Sequence, residues 1–188
     1  MQCFSSGGRS SVLRRTRHCG EWARGYSKER VRIFFCIPTL DDGGAERQLC
    51  YLSAGLTRLG HAVHVAFMSD GDCGRRLRAS GVELHAIGRR ATFDARLIAD
   101  LADIIRCTEA DIVQTWLRRM DVAGGLAALW TRTPFVYSER TVWQPGGWRQ
   151  WLRRSLVARA SAIVANSDHA ARVWRTTLPA GAPVHVIP

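Results

Sequence analysis

Val31-Arg32-Ile33-Phe34-Phe35-Cys36-Ile37 stops at Pro38, runs through Thr39-Leu40-Asp41-Asp42-Gly43-Gly44, and opens into a stretch where Leu49, Leu52, Leu56 and Leu59 recur. The first seven residues are almost continuously apolar, which marks a strand covered on both faces, and proline disfavours its regular continuation. The leucines, spaced by threes and fours, make one apolar stripe of a helix, with Gly60 as its C′ residue. A doubly covered strand feeding a helix through a glycine loop is the start of a parallel βαβ unit.

Outward from this unit the same alternation continues. Residues 62–68, 82–87, 111–116, 135–138, 162–165 and 184–187 read as strands. Residues 95–107, 121–130, 148–160 and 168–177 carry helical periodicity. The pattern predicts an α/β fold: a Rossmann-like, doubly wound, mostly parallel sheet of about six to seven strands with helices on both faces. It occupies residues 31–188. Residues 1–30 lack apolar periodicity, are rich in serine, glycine and arginine, and hold seven basic against two acidic residues. They read as a disordered basic tail.

Composition narrows the chemistry. The chain has 188 residues, of which 46% are hydrophobic, and carries a formal charge of +11. Its apolar runs fall short of the roughly 20 residues that cross a bilayer. Six cysteines form no C-x-x-C pair, which points to a reducing, cytoplasmic setting without a zinc site. The histidines at 61, 64, 85, 169 and 185 show no ligand spacing either. Among 27 basic residues only Lys28 is a lysine, so a phosphate-loop or Schiff-base lysine has no residue in the folded part. The positive balance suits phosphate-bearing partners.

In a sheet of this kind ligands bind beyond the carboxyl ends of the strands, so the loops after Ile37, Trp116, Ser138 and Asn166 hold the candidates. Gly43 and Gly44 let a ligand approach the backbone where free helix amides attract an anion. The same loop also reads as a tight turn with Glu46 offsetting the helix dipole. No G-x-G-x-x-G is present and Asp41 and Asp42 would repel a pyrophosphate, which argues against NAD. After the fourth strand, Trp116 offers a ring for sugar stacking, and Arg118, Arg119 and Asp121 offer polar groups. The alternative makes Asp121 a helix N-cap and leaves the arginines solvated. Glu139 and Arg140 set a carboxylate beside a guanidinium. Asn166 and Ser167 precede a helix, and Ser167 reads as an N-cap because no G-x-S-x-G surrounds it. Trp148, Trp151, Leu152 and Leu156 share helical spacing while Arg149, Arg153, Arg154 and Arg159 take the other positions. Such a helix either lies on an anionic membrane surface or packs its tryptophans against the sheet.

Gly43-Gly44-Ala45-Glu46-Arg47, the run from Asp111-Ile112-Val113-Gln114 to Thr115-Trp116-Leu117, residues 121–128, Ser138-Glu139-Arg140, Ala165-Asn166-Ser167 and Val186-Ile187-Pro188 together resemble the amino-terminal half of a family 4 glycosyltransferase of GT-B architecture. The resemblance implies a retaining transfer of sugar from a nucleotide-sugar, as co-substrate and with no cofactor or essential metal, in a cleft between two Rossmann-like domains. The amino-terminal domain of such enzymes mainly holds the acceptor, and its glycine loop, here Gly43, Gly44, Glu46 and Arg47, faces the donor phosphates. A carboxyl-terminal domain holds the nucleotide-sugar; it has no counterpart in these 188 residues, which implies a truncated product or a donor domain on a separate chain.

Many relatives carry a histidine after the fourth strand, where this chain has Arg118 and Arg119. Glu139 and Arg140 are the nearest polar substitutes and so the catalytic candidates. Expected partners are a glycan or lipid-linked acceptor, and an anionic membrane surface through residues 148–159. Two rival readings remain at this point. A non-catalytic anion- or nucleic-acid-binding module suits the charge, but the arginines are spread evenly and no nucleic-acid motif appears. A nucleotide-dependent oxidoreductase or epimerase lacks its fingerprint.

Overall fold

The computed structural model describes residues 30–88, 94–140, 147–178 and 183–187, so the basic tail, apart from Arg30, lies outside the described residues. In chain order the elements are β1 (Arg32–Cys36), α1 (Gly44–Arg58), β2 (Ala62–Phe67), α2 (Asp72–Ala79), β3 (Glu83–Ala86), α3 (Ala95–Cys107), β4 (Ile112–Trp116), α4 (Leu117–Thr131), β5 (Phe135–Glu139), α5 (Gly147–Val157), β6 (Ala162–Ala165), α6 (Asp168–Thr177) and β7 (Val184–Val186). All strands are parallel, in the order β3-β2-β1-β4-β5-β6-β7. This is the Rossmann-like sheet that the alternation predicts, with helices on both faces.

Successive β1 residues point to opposite sides, and both sides are filled. Phe34 and Cys36 meet Leu97, Leu101 and Ile105 of α3 and Met120, Ala123 and Ala127 of α4. Phe35 and Ile37 meet Leu49 of α1, Leu77 of α2 and Trp116 at the end of β4. Burying one such leucine or phenylalanine contributes roughly 1.5–3 kcal/mol, which is why β1 reads as a continuous apolar run and sits at the centre. A smaller cluster of Tyr137, Val157, Ile163, Trp174 and Leu178 joins β5 and β6 to α5 and α6.

Three elements differ from expectation. Of the four leucines read as one apolar stripe of α1, Leu49 is buried and Leu56 half-buried, but Leu52 and Leu59 are exposed, and Cys50 and Ser53 are buried in addition to Leu49. Helix α2 is not announced by the sequence: its buried side chains are Cys73 and Leu77, one turn apart, while Arg75, Arg76 and Arg78 face solvent. Two apolar positions are too few to establish a period. Helix α4 begins at Leu117, directly on the end of β4, so Asp121 lies inside the helix and is not its N-cap. Close packing sets that helix down early. A Cβ on Gly124 would lie 2.9 Å from Thr115 Cγ2 and 3.2 Å from Cys36 Sγ, so only glycine lets α4 rest on β1 and β4 at this depth.

Candidate functional site

From β1 the chain winds through β2 to β3 on one side, then returns to β4 and continues to β7 on the other. The order therefore reverses between β1 and β4, and the crevice outside their carboxyl ends is where such sheets bind ligands. It is flanked on one side by Gly43 and the first turn of α1, with Gly44, Glu46 and Arg47, and on the other by the junction of β4 with α4, with Trp116, Arg118 and Arg119.

The first loop is braced from behind. Leu40 N donates to Ser69 O at 2.9 Å and Cys73 N donates to Leu40 O at 3.0 Å. Gly71 permits this, since a Cβ there would come within 2.5 Å of Leu40 O. Gly43 is the extended N-cap of α1 and supplies no side-chain cap, leaving first-turn amides for another acceptor. Glu46 folds back over it, buried, and accepts a hydrogen bond from Thr39 Oγ1 at 2.8 Å. A Cβ on Gly43 would lie 2.2 Å from Glu46 Oε2. At Gly44, by contrast, a Cβ would meet nothing within 4 Å, and the backbone is not left-handed. The chain itself tolerates a side chain at Gly44. Arg47 is exposed, with Nε 3.5 Å from Asp42 Oδ1.

Across the crevice Trp116 is fully buried. Its ring meets Phe35 edge-on, with centroids 6.4 Å apart, and the Arg140 guanidinium lies 4.6 Å from its centroid. That corrects the expected sugar platform: the ring is stacked within the protein and has no face open to a sugar. Leu117 follows with φ +66°, a left-handed conformation that costs a branched residue on the order of 1–3 kcal/mol. Arg118 is exposed and Arg119 half-buried. Trp116 Nε1 and Arg140 Nε are buried donors with no acceptor among the described residues, and burial lowers the pKa of Arg140. Buried donors left unmet are uncommon in folded proteins.

Behind β4 and β5 lies a charged network that sequence reasoning missed. Arg153 of α5, 4% exposed, sits with Nε 3.3 Å from Asp121 Oδ2 and Nη2 3.2 Å from Glu139 Oε2. Glu139 Oε2 also accepts from Tyr137 OH at 3.0 Å and Trp174 Nε1 at 2.9 Å. Glu139 is 2% exposed, so it is enclosed and does not face the crevice. Asp121 is pushed up to about 7, first by burial, with Arg153 lowering it and Glu139 raising it. The network ties α4, β5, α5 and α6 together from positions 32 and 35 residues apart, a separation that no local spacing reveals.

Beyond β6, Asn166 is exposed and Ser167 caps α6, accepting from Ala170 N at 3.3 Å. Helix α5 is turned opposite to one of the two readings of its sequence. Trp148 and Trp151 are 62% and 70% exposed, while Arg153 points inward because two buried carboxylates receive it. Arg154 is half-buried and donates to Thr177 O at 3.2 Å. No described helix is long and apolar enough to cross a membrane.

Solved structures share this architecture. Anabaena HepE, in complex with UDP and glucose, superposes with a TM-score of 0.67 at 20% identity, over 84% of this chain and 44% of that one. A glycosyltransferase from Rickettsia africae gives 0.69 at 20% identity, over 84% and 42%. Acinetobacter baumannii MurG gives 0.58 at 14% identity, over 82% and 44%. The chain thus spans less than half the length of each, and at these identities the likeness is one of fold. No curated protein matches it significantly. The family model of Glycosyltransferase Family 4 matches residues 42–188, taking in the glycine loop, the β4–α4 junction, Glu139-Arg140 and the α6 cap, and the chain belongs to that family.

Proposed function

We propose that the chain supplies the acceptor-side half of a retaining glycosyltransferase, which moves a sugar from a nucleotide-sugar to a glycan or lipid-linked acceptor. One observation carries the reading: at the point where strand order reverses, the start of α1 at Gly43-Gly44, which has no side-chain cap, stands one strand from the β4–α4 junction with Arg118 and two strands from Arg140, a half-buried guanidinium whose Nε has no acceptor among the described residues. A helix start and guanidinium groups of this kind suit the phosphate oxygens of a sugar phosphate. Gly44 keeps the approach open, Arg118 and Arg119 add charge, and Arg140 is the group placed to touch substrate. Glu139 acts at one remove, fixing Arg153 and with it α5. The nucleotide is gripped by a second domain, in cis or on another chain. On this reading the 188 residues alone, given labelled UDP-sugars and acceptor, transfer no sugar and bind nucleotide weakly. Turnover by this chain alone would overturn the division of labour, and salt-sensitive DNA retention would favour an anion-binding module instead.

Helix α5 supports a peripheral membrane role in the same enzyme. Its exposed tryptophans suit the interface of an anionic bilayer, where the lipid-linked acceptor would reside. Trp148→Ala with Trp151→Ala should abolish co-sedimentation with anionic vesicles and leave the melting temperature unchanged. Retained binding would exclude α5 as the contact.

A further inference from the structure

At the other side of the sheet, two strands from the crevice, three ligand-type side chains converge. His64 of β2 and Glu83 of β3 are register partners, and His85 lies two residues beyond Glu83 on the same face of the edge strand. His64 Nδ1 lies 3.2 Å from Glu83 Oε2 and 3.3 Å from His85 Nε2, and all three ligand atoms fall within 4.8 Å of one another. A single imidazole nitrogen faces both partners, yet it carries at most one hydrogen and can satisfy only one of them. A shared cation resolves that conflict. In a tetrahedral zinc site with bonds of about 2.0–2.1 Å, neighbouring ligand atoms stand about 3.3 Å apart, the spacing seen here along two edges.

We infer that His64, Glu83 and His85 form a zinc-binding site that clasps the edge strand β3 to β2. Two imidazoles and one carboxylate are a zinc donor set, with the fourth position left to water. Burial favours the neutral form of both histidines, which leaves their lone pairs available. Glu83 is exposed and also lines a cavity of about 210 Å³ with Arg30, His61 and Gly81, so an ion can reach it from solvent. One group opposes binding: the Arg30 charge acts on His64 and would repel the cation. The site is independent of the crevice between β1 and β4 and of the proposed transfer. It also runs against the sequence expectation of no zinc ligands, because the spacing from 64 to 83 and 85 acquires meaning only when β2 and β3 are paired.

Titration of the full chain with zinc ions by calorimetry tests the assignment, with Co2+ absorption as the coordination readout. The expected result is one zinc per chain at micromolar affinity, a rise in melting temperature on adding zinc, and cobalt bands of a four-coordinate nitrogen and oxygen site. Outer-shell changes alone weaken metal sites roughly 10–100-fold, so Glu83→Gln and His85→Gln should each cost at least about tenfold. Glu83 is exposed, so its variant should melt like wild type without zinc. Arg30→Gln should tighten binding. Absence of saturable zinc binding, binding unchanged in the Glu83→Gln/His85→Gln double variant, or cobalt bands of thiolate ligation would overturn the site.

Discussion

Arg153 lies between two enclosed carboxylates, and its removal would leave both without their cation. Arg153→Met should lower stability by about 3–5 kcal/mol in urea unfolding at neutral pH, since it strands buried charge. Asp121 provides a second test. Folded, it keeps its proton up to about pH 7, whereas an unfolded aspartate releases it near about 4. The folded chain binds the extra proton in that window, so the contribution of Asp121 is complete below it and is lost as pH rises through 7. Asp121→Asn does not titrate, and all other groups are common to both proteins. Its unfolding free energy should therefore gain on wild type by about 3 kcal/mol between pH 5 and pH 8, two units at about 1.4 each. A constant difference would refute the raised pKa. None of this was legible beforehand: nothing in the sequence sets Arg153 apart from its neighbour Arg154 or from Arg159, and Tyr137, Trp174 and Glu139 carry no mark of their common partner.

Elements were readable where apolar period was strong. Strand β1 and helix α3 announce themselves through an apolar run and stripe that fill the main cores. Helix α1 was readable as a helix but only partly in its face: Leu49 and Leu56 pack inward, whereas Leu52 and Leu59 of the same stripe are exposed. Helix α2 is hidden because two buried side chains cannot define a period, and α4 starts early because packing against β1 and β4 outweighs the N-cap preference of aspartate. That packing is testable at Gly124. Gly124→Ala places a methyl 2.9 Å from Thr115 Cγ2, a branched side chain that cannot swing clear, and should cost about 1–3 kcal/mol. Gly125→Ala is the control, because its Cβ would lie 3.7 Å from Phe135 and in ordinary contact. Equal stability of the two variants would contradict the close approach of α4. Helix α5 shows the opposite failure, where a correct period was compatible with two orientations and buried carboxylates on other elements chose between them.

At the scale of the molecule, the order of strands decides which loops become neighbours. Alternation in the sequence was enough to give a doubly wound sheet and to direct attention to strand carboxyl ends, and six short motifs were enough to give the family. Which donors there lack acceptors was not legible, because Trp116 and Arg140 are brought together by the pairing of β4 with β5. The central claim is that the start of α1 receives a phosphate-bearing ligand. Amide chemical shifts of the labelled chain, titrated with pyrophosphate, test it most directly, in wild type and in Gly44→Val. Because a Cβ at Gly44 meets nothing within 4 Å, the variant should fold as wild type does, so any loss reports on the ligand. The account predicts saturable shifts centred on Gly43 to Glu46 and on Leu117 to Arg119 that vanish in Gly44→Val at unchanged melting temperature. Shifts elsewhere, no saturable shifts, or shifts that persist in the variant would contradict it.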